Sequence, residues 1–186
     1  MQDKIRIASD ACVLLGADPI QSFEEDTTEA LAVRTMYDNI YESALNYRMW
    51  SFAKTSVTPV QIDKVSEYGY TFVYRVPVDV LRVITINEAQ LPYKLVMRRE
   101  IHTNEPVKTL SALLKINEPE LPGDFVLALK FMLAGSIAPI ITGDVTQAAM
   151  FEQKGMQALH VAGDNDAVQA PLTYLKTSPL LNAFHG

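Results

Sequence analysis

The stretch FVLALKFMLAGSIAPII, Phe125 to Ile141, constrains the fold more than any other part of the chain. Its apolar residues surround nearly the whole circumference of a helix, and only Lys130 and Ser136 interrupt them strongly. A helix that is apolar all round must be buried on all sides. Other elements therefore have to enclose it, within the subunit or from a neighbour. Pro122, whose fixed φ suits a first helical turn, opens this element, and the reading predicts a helix over 122–142. The run falls short of the ~20 residues a bilayer requires and carries Lys130 and Pro139 inside it, so no membrane span is expected.

Candidate partners lie at both ends of the chain. Over 3–16, Ile5, Ala8, Cys12 and Leu15 recur at helical spacing, and Gly16 follows where a left-handed terminating residue belongs. DTTE, Asp26 to Glu29, has the form of a capping box with Asp26 as the cap. It opens a helix over 26–49 whose Ala30, Val33, Tyr37, Ile40, Ala44 and Tyr47 form one face. Asp144, with Gln147 three residues on, caps a last helix over 144–163.

Between these helices the period changes from 3.6 to 2, and the reading predicts a β insertion over about 51–117. Tyr68, Tyr70, Phe72, Tyr74 and Val76 alternate along one strand, which Pro77 ends. Val80 to Ile86 is β-branched, NEAQ has the form of a hairpin turn, and Leu91 to Arg98 returns with alternation. Thr109 to Ile116 completes a small antiparallel sheet. The chain's single tryptophan, Trp50, stands with Phe52 where the long helix hands over to this region. A large amphipathic ring there is expected to seal the two layers, its indole N–H finding a carbonyl. The fold class is thus α+β: a helical bundle from N- and C-terminal helices with an inserted small antiparallel sheet, over 1–168, followed by an extended C-terminal arm over 169–186.

Composition limits function. A net charge of −6 argues against a protein that grips nucleic acid through a basic face. One cysteine, Cys12, excludes an intrachain disulfide, and the start of the chain lacks the apolar core of a signal peptide, so a reducing cytoplasm is expected. His102, His160 and His185 lack metal-ligand spacing, and no phosphate loop or nucleophile elbow occurs. GDNDA, Gly163 to Ala167, lacks the further ligands of a calcium loop and reads as a helix terminus or solvated turn. Arg98 and Arg99 read as wet surface or an interface pair, and Cys12 as an inert core thiol. No catalytic residue, cofactor or metal ligand is expected. The arm is different. Leu172, Tyr174, Leu175, Leu180, Leu181 and Phe184 make it too apolar for a solvated tail, and they are the candidate partner-interface residues. Such a segment can lie on a neighbouring molecule or fold back onto its own core.

Four blocks, ASDACVLLGADPIQSF, YRMWSFAK, YGYTFVYRVPVDVLRVITIN and ALHVAGDNDAVQ, occur in that order and cover most of the chain. In type and sequence they resemble the blocks of the bacteriophage head-to-tail adaptor family, the group that includes the tail tubular protein A of short-tailed phages. The resemblance implies a structural virion protein without catalysis, assembled in the host cytoplasm. Such a protein forms a ring, typically twelvefold, under the portal protein. Its C-terminal arm clasps the portal or a neighbouring subunit, and the next tail protein docks below. DNA would pass through the lumen without specific binding, to which an acidic wall is suited. Two alternatives stay open: a connector or neck protein of a long-tailed phage, and a small enzyme or ligand-binding domain using His102, Arg98 and Asp79.

Overall fold

The computed structural model describes residues 3–88 and 91–169. The arm residues Leu172, Tyr174, Leu175, Leu180, Leu181 and Phe184, like His185, lie outside the described residues.

Four helices form one layer: α1 (Lys4–Leu14), α2 (Thr28–Asn46), α3 (Gly123–Ile141) and α4 (Val145–Gln169). The apolar helix α3 lies at the centre, packed against the other three. By length and composition it is the one helix among the described residues able to cross a membrane; about half of it is buried in the bundle, and Leu127 and Ile140 are exposed, so the burial on all sides expected of it is not reached within the described residues. Lys130, the one charge within the apolar run Phe125 to Ile141, reaches Asp10 of α1 at 2.7 Å. The closest approach is between α3 and α4, where Gly135 and Gly155 leave room for the opposite backbone.

Local signals set the helix ends. Asp3 caps α1, its Oδ1 accepting from Arg6 N at 2.8 Å, and Gly16 takes the expected left-handed conformation with φ +79°. Helix α2 corrects the sequence reading: the cap is Thr27, whose Oγ1 accepts from Ala30 N at 3.2 Å, and not Asp26. Asn46, not residue 49, ends it. Asp144 caps α4 as anticipated, accepting from Thr146 N and Gln147 N. That helix runs on through Asp164 and Asp166 to Gln169, so GDNDA is helix interior and neither a terminus nor a turn.

The insertion consists of two antiparallel sheets instead of one. The first has the order β1-β7-β4, from β1 (Lys54–Val57), β7 (Leu110–Leu114) and β4 (Val80–Ile86). The second has the order β2-β3-β6-β5, from β2 (Val60–Gln61), β3 (Phe72–Arg75), β6 (Glu100–Thr103) and β5 (Tyr93–Val96). Strands β4 and β5 belong to different sheets, which overturns the hairpin expected through NEAQ. Asn87 supplies the reason. Its Oδ1 accepts from Lys108 N and Thr109 N, its Nδ2 donates to Pro106 O, and its own N–H bonds Thr109 O, so β4 is tied to the start of β7. The real hairpin joins β5 to β6 through Met97 and Arg98, both at positive φ. The strand expected over Tyr68–Val76 shortens to Phe72–Arg75, because Gly69 turns the chain at φ +78°.

Two cores result. Alternation along β7 sends Leu113 to the helices, whereas Leu110 and Ala112 join Tyr74, Val76, Val80, Ile86 and Ile101 in a second core formed by the strands. The first sheet is thus apolar on both faces and couples the layers.

Candidate functional site

Helices and strands meet at the seam between α2 and β1, where the last turns of α4 also arrive before the chain continues beyond Gln169. Trp50 is fully buried there. Its Nε1–H donates to Ala44 O at 3.1 Å, the carbonyl partner anticipated for it. The rings of Phe52 and Phe125 lie 5.5 and 5.0 Å away and are themselves edge to face at 5.4 Å. Such geometry adds a directional term to apolar burial. On the outer side the Arg48 guanidinium lies over the indole, 5.5 Å from its centroid. Gly163 makes that possible, since a Cβ there would collide with Arg48 Nη1.

One residue locks α4 onto this cluster, and sequence reasoning missed it. Asp166 is nine-tenths buried, and its carboxylate accepts from Ser51 N at 2.8 Å and Ser51 Oγ at 2.5 Å. A buried carboxylate requires such donors. The signal was present: Leu159, Ala162 and Asp166 share one face by helical spacing, and the first two are buried. On an adjoining face of α4, Asn165 Nδ2 donates to Asp124 Oδ2 at 3.0 Å, joining α4 to the start of α3. A cavity of about 30 Å³ remains between Trp50, Phe52, Phe125, Ala162, Asp166 and Gln169.

The alternative site residues do not converge. His102 is buried within β6. Its Nδ1 lies 2.8 Å from Ser66 Oγ, its Nε2 3.4 Å from Glu100 Oε2, and Tyr68 meets its ring edge-on. Neither Arg98 nor Asp79 is among these partners. Ser, His and acid stand in the order of a hydrolytic relay, but Ser66 Oγ also accepts from Tyr68 N, and Glu100 lies nearer Lys64, at 2.7 Å. The Lys64 hydrogen bond holds the Glu100 carboxyl below its ordinary value, and Glu100 in turn raises Lys64. These contacts strap the 62–71 segment across the second sheet. Arg99 donates to Pro77 O and Val78 O, and Arg82 to Asn46 O at the end of α2, so both are engaged within the chain. Arg98 borders a cleft with Val80, Leu81 and Leu95. His160 meets Tyr47 Oη at 3.0 Å.

Buried phenols hold the far side of the bundle. Tyr41 Oη donates to Ile116 O and Tyr37 Oη to Glu118 Oε1, and burial pushes both phenols far above their ordinary range. Burial, with Glu29 adding to it, raises the Cys12 thiol to about 11. The expected inert thiol is therefore mostly protonated at neutral pH, and only the thiolate is nucleophilic.

Comparison with protein-family models finds no match to the chain, and comparison with curated proteins finds none.

Proposed function

We propose that this chain is a structural head-to-tail adaptor: a protein that rings up under a portal, joins a phage capsid to its tail and leaves a channel for DNA. The observation that carries the reading is the ordered set of four sequence blocks, which includes W-x-F-A at Trp50 to Ala53 and P-x-D-x-L-R at Pro77 to Arg82. Three of the four contribute to one place in the fold. Trp50 and Ser51 come from the second, Arg82 on the α2 end from the third, and Asp166 from the fourth. A seam of that kind gives an arm after Gln169 a firm root, as clasping a neighbour under load requires. The net charge of −6 suits a wall past which DNA slides. Assembly would proceed on the portal, where the arm exchanges whatever it contacts in the free subunit for its partner.

Native mass spectrometry of the protein alone, and then with the portal ring encoded beside it, tests this. The expected result is a fixed multiple of the chain on the portal, lost when Pro171 to Gly186 is removed. A portal whose mass never changes refutes the adaptor role; binding that survives the deletion refutes the arm's part in it.

A further inference from the structure

Part of the exposed apolar surface of the bundle lies along α4, the helix from which the chain continues beyond Gln169. A groove of about 400 Å³ runs between α3 and α4, lined by Leu127, Phe131, Ala158 and Val161, with Asp124 and Lys154 among its polar lining residues. Leu127 and Val161, which both line this groove, are 48% and 53% exposed. A broken apolar stripe continues past the groove: Val161 and Val168 lie two turns apart on one face of α4 with the polar Asp164 and Asn165 between them, and Val168, 86% exposed, is the residue before Gln169.

The segment after Gln169 has the chemistry to cover this stripe. Residues 170–186 carry four leucines, a tyrosine and a phenylalanine, with Lys176 and His185 as the only basic side chains and no acidic one. Pro171 disfavours the helical conformation at Ala170, so the sequence gives the chain a place to leave the helix axis. Returning along α4 from Gln169 to Lys154 covers about 22 Å at the helical rise. Pro171 to Phe184 reaches up to about 45 Å when extended, enough to turn and line the whole groove.

We infer that, in the free protein, the segment Pro171 to Phe184 occupies the α3–α4 groove of its own chain. Tethering decides between the chain's own segment and that of a second copy. A short covalent connection holds the segment at an effective concentration on the order of 1 mM, about a thousandfold above a protein solution of about 1 µM. The contact is then self-blocking. A partner that takes the arm also uncovers Leu127, Val161 and Val168, so capture of the arm creates a second sticky surface on the same subunit. The inference concerns the protein alone and does not depend on the adaptor reading.

The test places a thiol in the groove, as Val161→Cys and separately as Leu127→Cys, in the full chain. Cys12 is fully buried and its thiol is held at about 11, so it gives little background. Maleimide labelling is read by mass spectrometry, alone and with Leu172, Leu175, Leu180 and Leu181 all changed to Ser. Expected is labelling slowed about tenfold in the chain with its leucines, equivalent to a groove covered nine-tenths of the time. The protection should not change between about 100 µM and about 1 µM protein, both below the tethered concentration. Equal rates with and without the leucines overturn the inference. So does protection that fades on dilution, which would assign the groove to a second copy.

Discussion

Removing the carboxylate of Asp166 should unfasten α4 from the seam, and the structure fixes how much that costs. Asp166→Ala deletes two hydrogen bonds, to Ser51 N and Ser51 Oγ, both donated to a charged acceptor. Bonds to charged groups contribute about 1.5–3 kcal/mol each, but two on one carboxylate are not independent, and half-buried Ser51 can recover water. Alanine also returns about 0.6 kcal/mol of helix propensity at a position inside α4. The net loss is about 2 kcal/mol. For a chain of this size that lowers Tm by about 4–8 °C. Urea and thermal unfolding can be monitored through the fluorescence of Trp50, the chain's single tryptophan, which packs beside this contact. Ser51→Ala and the double variant complete the cycle, with an expected coupling of about 1 kcal/mol or more. If Asp166→Ala is as stable as the parent, or if the two changes simply add, Asp166 is not the fastener described.

Trp50→Phe keeps an aromatic ring against Phe125 but removes the bond to Ala44 O and part of the indole, so a loss of about 2 kcal/mol is expected by far-ultraviolet circular dichroism melts; an unchanged melt would contradict the sealing role. Gly155→Ala places a Cβ 2.9 Å from Met132 backbone N and must part α3 from α4, costing about 1 kcal/mol even after the gain in helix propensity. Gly163→Ala meets first the Arg48 side chain, which can swing away, so its melt should stay within about 0.5 kcal/mol of the parent, and the reverse order of the two variants would refute the packing described. Glu100 has a folded pKa below its ordinary 4.5, so its contribution is present above that pH and fades as pH falls through the folded value. Protection factors in residues 62–71, each taken against the intrinsic exchange rate at the same pH, should fall on acidification, and Glu100→Gln should show low protection already at neutral pH; equal protection in the two proteins would remove Glu100 from the strap.

Legibility in the sequence tracked the range of the forces involved. The helices were readable because a 3.6 period, a cap and a terminating glycine lie within a few residues of one another, as Gly16 and Asp144 illustrate. Trp50's role was readable too, since a lone large ring between two periods has few other uses. Strand partnership was not. The Met97–Arg98 turn carries no Asn-Gly or Asp-Gly signal, while NEAQ suggested a hairpin that Asn87 prevents by bonding residues 106–109. Competition between Thr27 and Asp26 for the cap of α2 was decided by one residue of register, which propensity does not resolve. Asp166 and Ser51 stand far apart in the chain, and only the buried face shared with Leu159 and Ala162 hinted that this acid needed a donor.

The insertion enters and leaves the helical layer through β1 and β7, which are antiparallel neighbours with Lys54 opposite Leu113, and Leu114 N bonded to Ala53 O. The two ends of the β region therefore stand one strand spacing apart. To the bundle, the intervening chain is a closed loop whose size hardly matters, since loop-closure entropy rises only with the logarithm of length. Such a neck leaves the second sheet, β2, β3, β5 and β6, able to change in length while Trp50, Phe125 and Asp166 keep their places, whereas β4 stays tied to β7 and through Arg82 to the end of α2. It divides the chain mechanically into a helical scaffold held by its own packing and a β module joined to it at a single neck.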